Sequence, residues 1–165
     1  MRLLLRLILF AAVFMLNSSF YPVSEYVPIL IDRQEMEKAV KLGSPRPMFE
    51  PGKIYYKSPW LFIVEKYKGV HIIDNSNPSN PEKMVFLHID GVRDVAMKGN
   101  VLYADNAVDL IAVQFNSSLT EISVSKRLQN YFPEMSPPDG WGLPHSVWAY
   151  RPKDSIIVGW KKRQP

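Results

Sequence analysis

The chain contains two imperfect copies of one four-strand pattern within residues 53–125. At a constant offset of 41 residues, the equivalent pairs are Ile54 and Val95, Lys57 and Lys98, Leu61 and Leu102, and Phe62 and Tyr103. Beyond this point the second copy is one residue shorter, so Val70 falls on Leu110. A repeat of roughly 40–45 residues that carries four short strands is typical of a β-propeller blade. The sequence therefore predicts an all-β partial β-propeller with about two four-stranded antiparallel blades.

Turn residues divide each copy into four predicted strands. In the first copy the strands are residues 52–57, 60–65, 70–74 and 84–89. In the second copy they are residues 93–98, 101–105, 109–115 and 121–126. Val, Ile, Leu and Phe run almost continuously through these strands, as expected for sheets that are covered on both faces. We expect the last strand of the first copy to form the outer edge of its blade.

The segments around the two blades, which span residues 52–128, are predicted from their Pro and capping residues. Residues 20–51 are predicted to be a linker with one short helix over residues 33–42, with Asp32 as its N-cap. The start of this linker could instead be a strand that completes a blade elsewhere. Residues 129–165 are predicted to be a Pro- and aromatic-rich loop followed by a final strand at residues 155–160. Because that strand has no evident partner, it supports a truncated propeller.

Residues 1–19 carry the pattern of an export signal. Arg2 and Arg6 supply positive charge, and an apolar run of ten residues follows at residues 7–16. Such a run has the length of a signal-peptide core and is shorter than the about 20 residues that span a bilayer. We predict a cleaved signal peptide or an uncleaved N-terminal anchor, which would be the protein's only contact with a membrane. The alternative is a buried core strand or helix.

Composition excludes several classes of function. The chain has no cysteine, which excludes disulfides, thiol catalysis, thiolate metal sites and a lipid-anchored cysteine. The net charge is +4, and without residues 1–19 the chain keeps 18 basic and 16 acidic residues. This excess is too small and too dispersed to indicate a nucleic-acid partner.

The two copies resemble the LVIVD repeat of bacterial cell-envelope proteins over residues 52–126. In the second copy the matching residues are Asp94, Val95, Ala96, Gly99, Asn100, Tyr103, Ala104 and Asp105. In the first copy they are Gly69, Ile72, Ile73, Asp74, Ser76, Pro78 and Pro81. The resemblance implies an exported bacterial β-propeller of undefined function, in the periplasm or on the outer cell surface. Members of that family are longer and often carry a lipobox cysteine, so the resemblance also implies a truncated propeller without that anchor.

No metal site, cofactor or catalytic residue is predicted. His71 and His88 lie on predicted strands, where a hydrogen-bonded structural role is expected, and His145 is distant from both in sequence. The run that begins at Asp74 lacks the spaced Asp, the Gly and the distant Glu of a calcium loop, so a side-chain-capped turn is preferred.

Asp94 and Asp105 end strands of the second copy, and paired carboxylates could perform acid–base chemistry. Aspartates at strand ends also accept hydrogen bonds from backbone N–H groups, which is the preferred interpretation.

The predicted binding residues are Lys66, Tyr67, Lys68 and Arg93. In a propeller, the loop between the second and third strands lies on the same face as the loop that enters the next blade, and loops on a rigid scaffold carry binding sites. These four residues could form a contact patch for an acidic group, a carbohydrate or a protein, or they could be a solvated charged loop. We therefore predict a non-catalytic binding or scaffold module at the cell envelope, with a protein or glycan ligand. The alternatives are a propeller lyase or hydrolase built around Asp94, and a non-functional truncated copy.

Overall fold

The computed structural model describes residues 23–116, 118–143 and 145–164, and the predicted export segment lies outside them. The elements are β1 (Tyr26–Asp32), α1 (Arg33–Lys38), β2 (Lys41–Gly43), β3 (Pro51–Lys57), β4 (Trp60–Glu65), β5 (Gly69–Asp74), β6 (Glu82–His88), β7 (Val95–Lys98), β8 (Val101–Asn106), β9 (Asp109–Phe115), β10 (Ile122–Leu128), α2 (His145–Ala149) and β11 (Ser155–Lys162). The protein is thus all-β, as the repeat predicts.

Two antiparallel sheets form the partial propeller. Blade 1 has the strand order β2-β6-β5-β4-β3, and blade 2 has the order β10-β9-β8-β7. The repeat alignment holds in the pairing, because Ile54 pairs with Ile63 and the equivalent Val95 pairs with Ala104. The residue missing from the second copy falls in the turn between β8 and β9. Three residues separate β4 from β5, and two separate β8 from β9.

One hydrophobic core lies between the two blades. Phe62 and Val64 of β4 and Ile72 of β5 are buried in it from blade 1. Leu102 and Ala104 of β8 are buried in it from blade 2. Residues two positions apart in a strand lie on the same face of the sheet. One face of each blade therefore packs against the other blade.

The first blade gains a fifth strand that differs from the sequence prediction. Asp32 caps the predicted helix, and its carboxylate accepts from the Gln34 N–H at 2.8 Å, but the helix ends at Lys38. The chain then pairs as β2 along β6, so the expectation that the last strand of the first copy is the outer edge is wrong. This pairing covers backbone groups of β6 that an edge strand would leave open.

A third, two-stranded sheet corrects the expectation that the final strand has no partner. β11 pairs antiparallel with β1 from Tyr26–Lys162 to Asp32–Ser155, with a bulge between Ile29 and Leu30. The part of the chain predicted to be a linker is therefore partly a strand. Pro28 does not prevent this, because a two-stranded sheet consists of edge strands, which tolerate proline.

A second core supports this sheet. Ile157 and Trp160 of β11 pack there with Met36 of α1. Ala107 and Val108, the turn between β8 and β9, are buried in the same cluster, and Tyr67 of the turn between β4 and β5 packs against it. The two-stranded sheet therefore covers one end of both blades. None of the helices that the structure describes is long and apolar enough to cross a bilayer.

Candidate functional site

A cleft lies between the two-stranded sheet and blade 1, and we call it the lysine cleft. Its volume is about 790 Å³, within the range of ligand sites. The residues that line it are Tyr26, Ile29, Glu50, Pro51, Lys66, Tyr67, Lys68, Asp90, Pro138, Val158, Trp160, Lys161 and Lys162. Three strands and four connecting segments therefore meet there, which fixes the lining on a β-scaffold.

The lysine cleft carries an excess of positive charge. Four lysines line it against two acidic side chains, Glu50 and Asp90. Lys66, Lys68 and Lys161 are exposed at its surface. Lys162 pairs with Glu25 at 3.1 Å, and this contact raises the pKa of the lysine. The lining therefore suits an anion.

An aromatic ring held under β11 forms part of the lining. A Cβ atom added to Gly159 would lie 2.9 Å from Cδ2 of Tyr67, so only glycine lets the ring approach the strand this closely. Lys66 Nζ lies 5.0 Å from the centroid of the same ring, within the range of a cation–π contact. Tyr67 has a φ of 67°, a left-handed conformation that costs about 1–2 kcal/mol in a non-glycine residue. Packing against β11 and Lys66 holds this turn in place.

A buried tryptophan contributes to the wall of the lysine cleft. Trp160 lines the cleft but is only 6% exposed. Its Nε1 atom is buried from solvent, and within the described part of the chain it has no hydrogen-bond partner. Leaving a buried donor unpaired costs about 1–3 kcal/mol.

Asp90 is an acidic residue of the lysine cleft whose pKa is shifted by its surroundings. Burial raises the pKa of Asp90, and the nearby His88 opposes that rise. The backbone carbonyl of Asp90 accepts from Nδ2 of Asn106 at 2.7 Å, which ties this loop to blade 2. A carboxyl with a raised pKa loses its charge on mild acidification, so the positive excess of the cleft grows as the pH falls.

The structure brings three of the four predicted binding residues together. Lys66, Tyr67 and Lys68 all line the lysine cleft. Arg93 follows the adjacent loop, in which the Tyr67 N–H donates to the Val92 carbonyl at 2.9 Å. The two loops are neighbours, as the propeller pattern predicts. The Arg93 side chain, however, lines a different cleft.

That second cleft, of about 410 Å³, lies on blade 2 and contains both aspartates considered for catalysis. The Asp105 carboxylate accepts from the backbone N–H groups of Arg93 and Asp94 at 2.8 and 2.9 Å, and from Arg93 Nε at 2.9 Å. Asp94 Oδ1 lies 2.5 Å from Lys53 Nζ. The strand-end role preferred from sequence is confirmed for Asp105.

Blade 1 repeats this arrangement with a different acid. The buried carboxylate of Glu65, at the end of β4, accepts from the backbone N–H groups of Phe49 at 3.1 Å and Glu50 at 2.8 Å. His71 Nε2 lies 3.1 Å from Glu65 Oε2, which confirms the structural role expected for this histidine. In both blades a carboxylate at the end of the second strand fixes the chain that enters the first strand.

The other polar residues singled out in the sequence have local partners. Asp74 Oδ1 accepts from the Ser76 N–H at 2.8 Å, so the predicted side-chain-capped turn is confirmed. Burial, together with Arg46 and Lys41, lowers the pKa of His88. No group of three His, Cys, Asp or Glu side chains within the described residues is placed to hold a metal ion.

Sequence reasoning missed most of the lysine cleft, since only Lys66, Tyr67 and Lys68 of its thirteen lining residues were predicted binding residues. Tyr26, Trp160, Lys161 and Lys162 come from segments predicted to be a linker and an unpaired terminal strand. The pairing of β1 with β11 joins segments from opposite ends of the sequence, and no repeat or turn signal connects them. Alternation of apolar residues was the available signal, and Pro28 obscured it.

Comparisons with family models, with curated proteins and with solved structures found no match to this chain.

Proposed function

We propose that this chain is a non-catalytic binding module of the bacterial cell envelope, and that its lysine cleft binds an anionic glycan. The observation that carries the proposal is the convergence of four lysines on one cleft with the rings of Tyr26, Tyr67 and Trp160. The resemblance of residues 52–126 to an envelope repeat supports the cellular setting.

A glycan fits the chemistry of the cleft better than a compact anion. Lysine is a strongly hydrated point charge that does not require the fixed two-point geometry of arginine, so it tolerates anions spaced along a polymer. The partly exposed rings of Tyr26 and Tyr67 offer apolar faces with polar edges, as amphipathic ligands need.

The test is affinity electrophoresis and calorimetry of the full chain with dextran sulfate, polygalacturonate and neutral dextran. We expect retardation by the two anionic polymers, no retardation by dextran, and affinity that weakens as salt rises. In the double variant Lys66→Ala with Lys161→Ala, we expect at least a tenfold loss of affinity.

Lys38 and Lys153 provide the matched control, since they are exposed and do not line the lysine cleft. The variant with both replaced by Ala has the same net charge as the test variant and should bind like the wild type. Equal losses in both variants would mean that binding follows only overall charge, and would overturn the proposal. Binding of an acidic protein such as casein, without binding of either anionic polymer, would overturn the glycan assignment.

Export is the other part of the proposal, and residues 1–19 support it. Expression of the full chain in a Gram-negative host, followed by fractionation and N-terminal sequencing, tests it. We expect the protein in the envelope or periplasmic fraction, either processed near residue 20 or uncleaved. Full-length protein in the cytoplasm would contradict export.

A further inference from the structure

The two blades leave one apolar face each on the outside of the partial propeller. Side chains alternate along a strand, so residues next to those in the inter-blade core point away from it. On blade 1 the outward face is formed by Ile54, Tyr56, Leu61 and Ile63. On blade 2 it is formed by Ala96, Val101, Tyr103, Leu110 and Leu128.

The internal repeat relates these outward faces to the core that the blades share. Tyr103 is equivalent to Phe62, which blade 1 buries against blade 2. Ile54 is equivalent to Val95, which blade 2 buries against blade 1. The outward face of blade 2 is therefore the counterpart of the face with which blade 1 docks, and the outward face of blade 1 is the counterpart of the face that receives it.

Residues of the outward faces are exposed, whereas the equivalent residues in the inter-blade core are buried. Phe62 is 2% exposed, whereas the equivalent Tyr103 is 38% exposed. Val95 is 1% exposed, whereas the equivalent Ile54 is 61% exposed. Exposed contiguous apolar surface of this kind marks an interaction site.

The outward face of blade 2 contains clefts that can receive side chains. Two adjoining clefts, of about 410 and 210 Å³, share Tyr103 and Leu110 in their linings. On blade 1, the segment from β2 to β3 crosses the outward face and covers part of it, with Arg46 packed 4.8 Å from the ring centroid of Phe86. The open part of that face lies over β3 and β4, where Ile54 and Tyr56 project.

We propose that copies of this chain associate head to tail, with the outward face of blade 2 packed against the outward face of blade 1 of the next copy. The contact repeats the part of the packing between the blades of a single chain that involves the first two strands, with β3 and β4 in the positions that β7 and β8 hold in the inter-blade core. A head-to-tail contact closes into a ring when its rotation permits, and otherwise continues as an open chain. Propellers close with about 4–8 blades, which corresponds to about two to four copies of a two-blade chain.

The test is sedimentation velocity of the full chain across a dilution series, with two variants that each block one face. We expect the wild type to sediment as a multiple of the chain mass. Ile54→Lys places a charge on the outward face of blade 1, and Tyr103→Lys places one on the outward face of blade 2. Each variant alone should be a monomer, because every contact needs both faces.

Mixing the two variants distinguishes this contact from the alternatives. Each variant keeps the face that the other lacks, so the mixture should form a one-to-one dimer that grows no further. A symmetric contact between two identical faces would instead leave one variant associated on its own. A wild type that is a monomer at all concentrations would overturn the proposal.

Two further measurements guard against misfolded variants. The circular dichroism spectrum below the melting transition should be unchanged, since both positions are exposed in the single chain, and Tyr150→Lys on an exposed site elsewhere should leave the association intact. The chain has no cysteine of its own, so Ile54→Cys and Tyr103→Cys give single-cysteine proteins. Copper-catalysed oxidation of their mixture should yield a cross-linked heterodimer. If the mixture associates like the wild type but yields no cross-linked heterodimer, the proposed contact is contradicted.

Discussion

Buried carboxylates at strand ends fix the geometry of both blades. Burial alone would raise the pKa of Glu65, but hydrogen bonds from the Glu50 backbone, from His71 and from the Phe49 backbone outweigh burial and hold the pKa below 4.5. Because the folded-state pKa is lowered, the ionised carboxylate stabilises the fold above that ordinary value. The contribution is lost as the pH falls through the folded pKa.

Glu65→Gln should therefore destabilise the protein by about 1.5–3 kcal/mol at neutral pH, the range for hydrogen bonds to a charged group. Urea unfolding followed by circular dichroism measures it. The difference in unfolding free energy between the variant and the wild type should become smaller as the pH falls below 4.5, the ordinary pKa of this carboxyl. Glu50→Gln, on an exposed side chain nearby, is the control and should change stability little. A gap that is independent of pH would show that the charge has no role.

The raised pKa of Asp90 gives the lysine cleft a pH response. Above this pKa the carboxylate offsets one lysine, and as the pH falls through it the carboxyl becomes neutral. Binding of dextran sulfate, which stays ionised, should therefore tighten on acidification toward the ordinary aspartate range. Asp90→Asn should bind more tightly than the wild type at neutral pH and should lose most of this response, measured by calorimetry. An equal pH response in the variant would assign the effect to another group, such as His88.

At the scale of elements, strand β11 connects two sheets through its contact with the turn between β4 and β5. Gly159→Ala places a methyl group 2.9 Å from the Tyr67 ring, so ring or strand must shift. We expect a loss of about 1–3 kcal/mol in stability, the range for overpacking, and weaker binding in the lysine cleft. Gly142→Ala is the matched control, because nothing lies within 4 Å of its added Cβ. Equal losses in both variants would show that the contact with the Tyr67 ring does not cause the destabilisation.

The repeated strands could be predicted from the sequence, whereas the strand pairings outside the repeat could not. β4 and β9 have the bounds that the alternation and turn residues predicted, because the second copy constrains the first. β2 was missed because three residues carry too little pattern, and its strand character arises from pairing with β6. In the same way, Lys66 and Tyr67 of the candidate site were identified from their loop. Trp160 was not, because its place depends on a pairing between distant segments.

At the scale of the whole molecule, a buried ion cluster joins parts that the two hydrophobic cores leave separate. Asp109 is fully buried, and its carboxylate lies 3.1 Å from Arg33 of α1 and 2.7 Å from Arg127 of β10. The same carboxylate accepts from the Asn130 N–H at 3.0 Å. One side chain thus ties the helix beneath the two-stranded sheet to the outer edge of blade 2.

Asp109→Asn should cost about 3–5 kcal/mol, because it leaves the partly buried Arg127 without its counter-charge and Arg33 with only Glu37, at 3.5 Å. Thermal unfolding by calorimetry should show a lower midpoint, and hydrogen exchange should show protection lost in α1 and β10 together. Asp94→Asn removes an exposed ion pair with Lys53 and should change stability by only about 0–1 kcal/mol. Comparable losses in the two variants would contradict the role of Asp109 as a connector.

The antiparallel pairing of β1 with β11 also determines how the molecule responds to tension. Tyr26 lies opposite Lys162, so the segments that precede β1 and follow β11 leave the sheet side by side. A force pulling those segments apart loads the hydrogen bonds in turn, starting from the bond that the Arg163 N–H donates to the Glu25 carbonyl just outside that pair, which is a peeling geometry. The two-stranded sheet would open at low force and lengthen the tether while both blades stayed intact. Peeling would also separate Tyr26 from Lys162, so traction on the chain would dismantle the lysine cleft before it unfolded either blade.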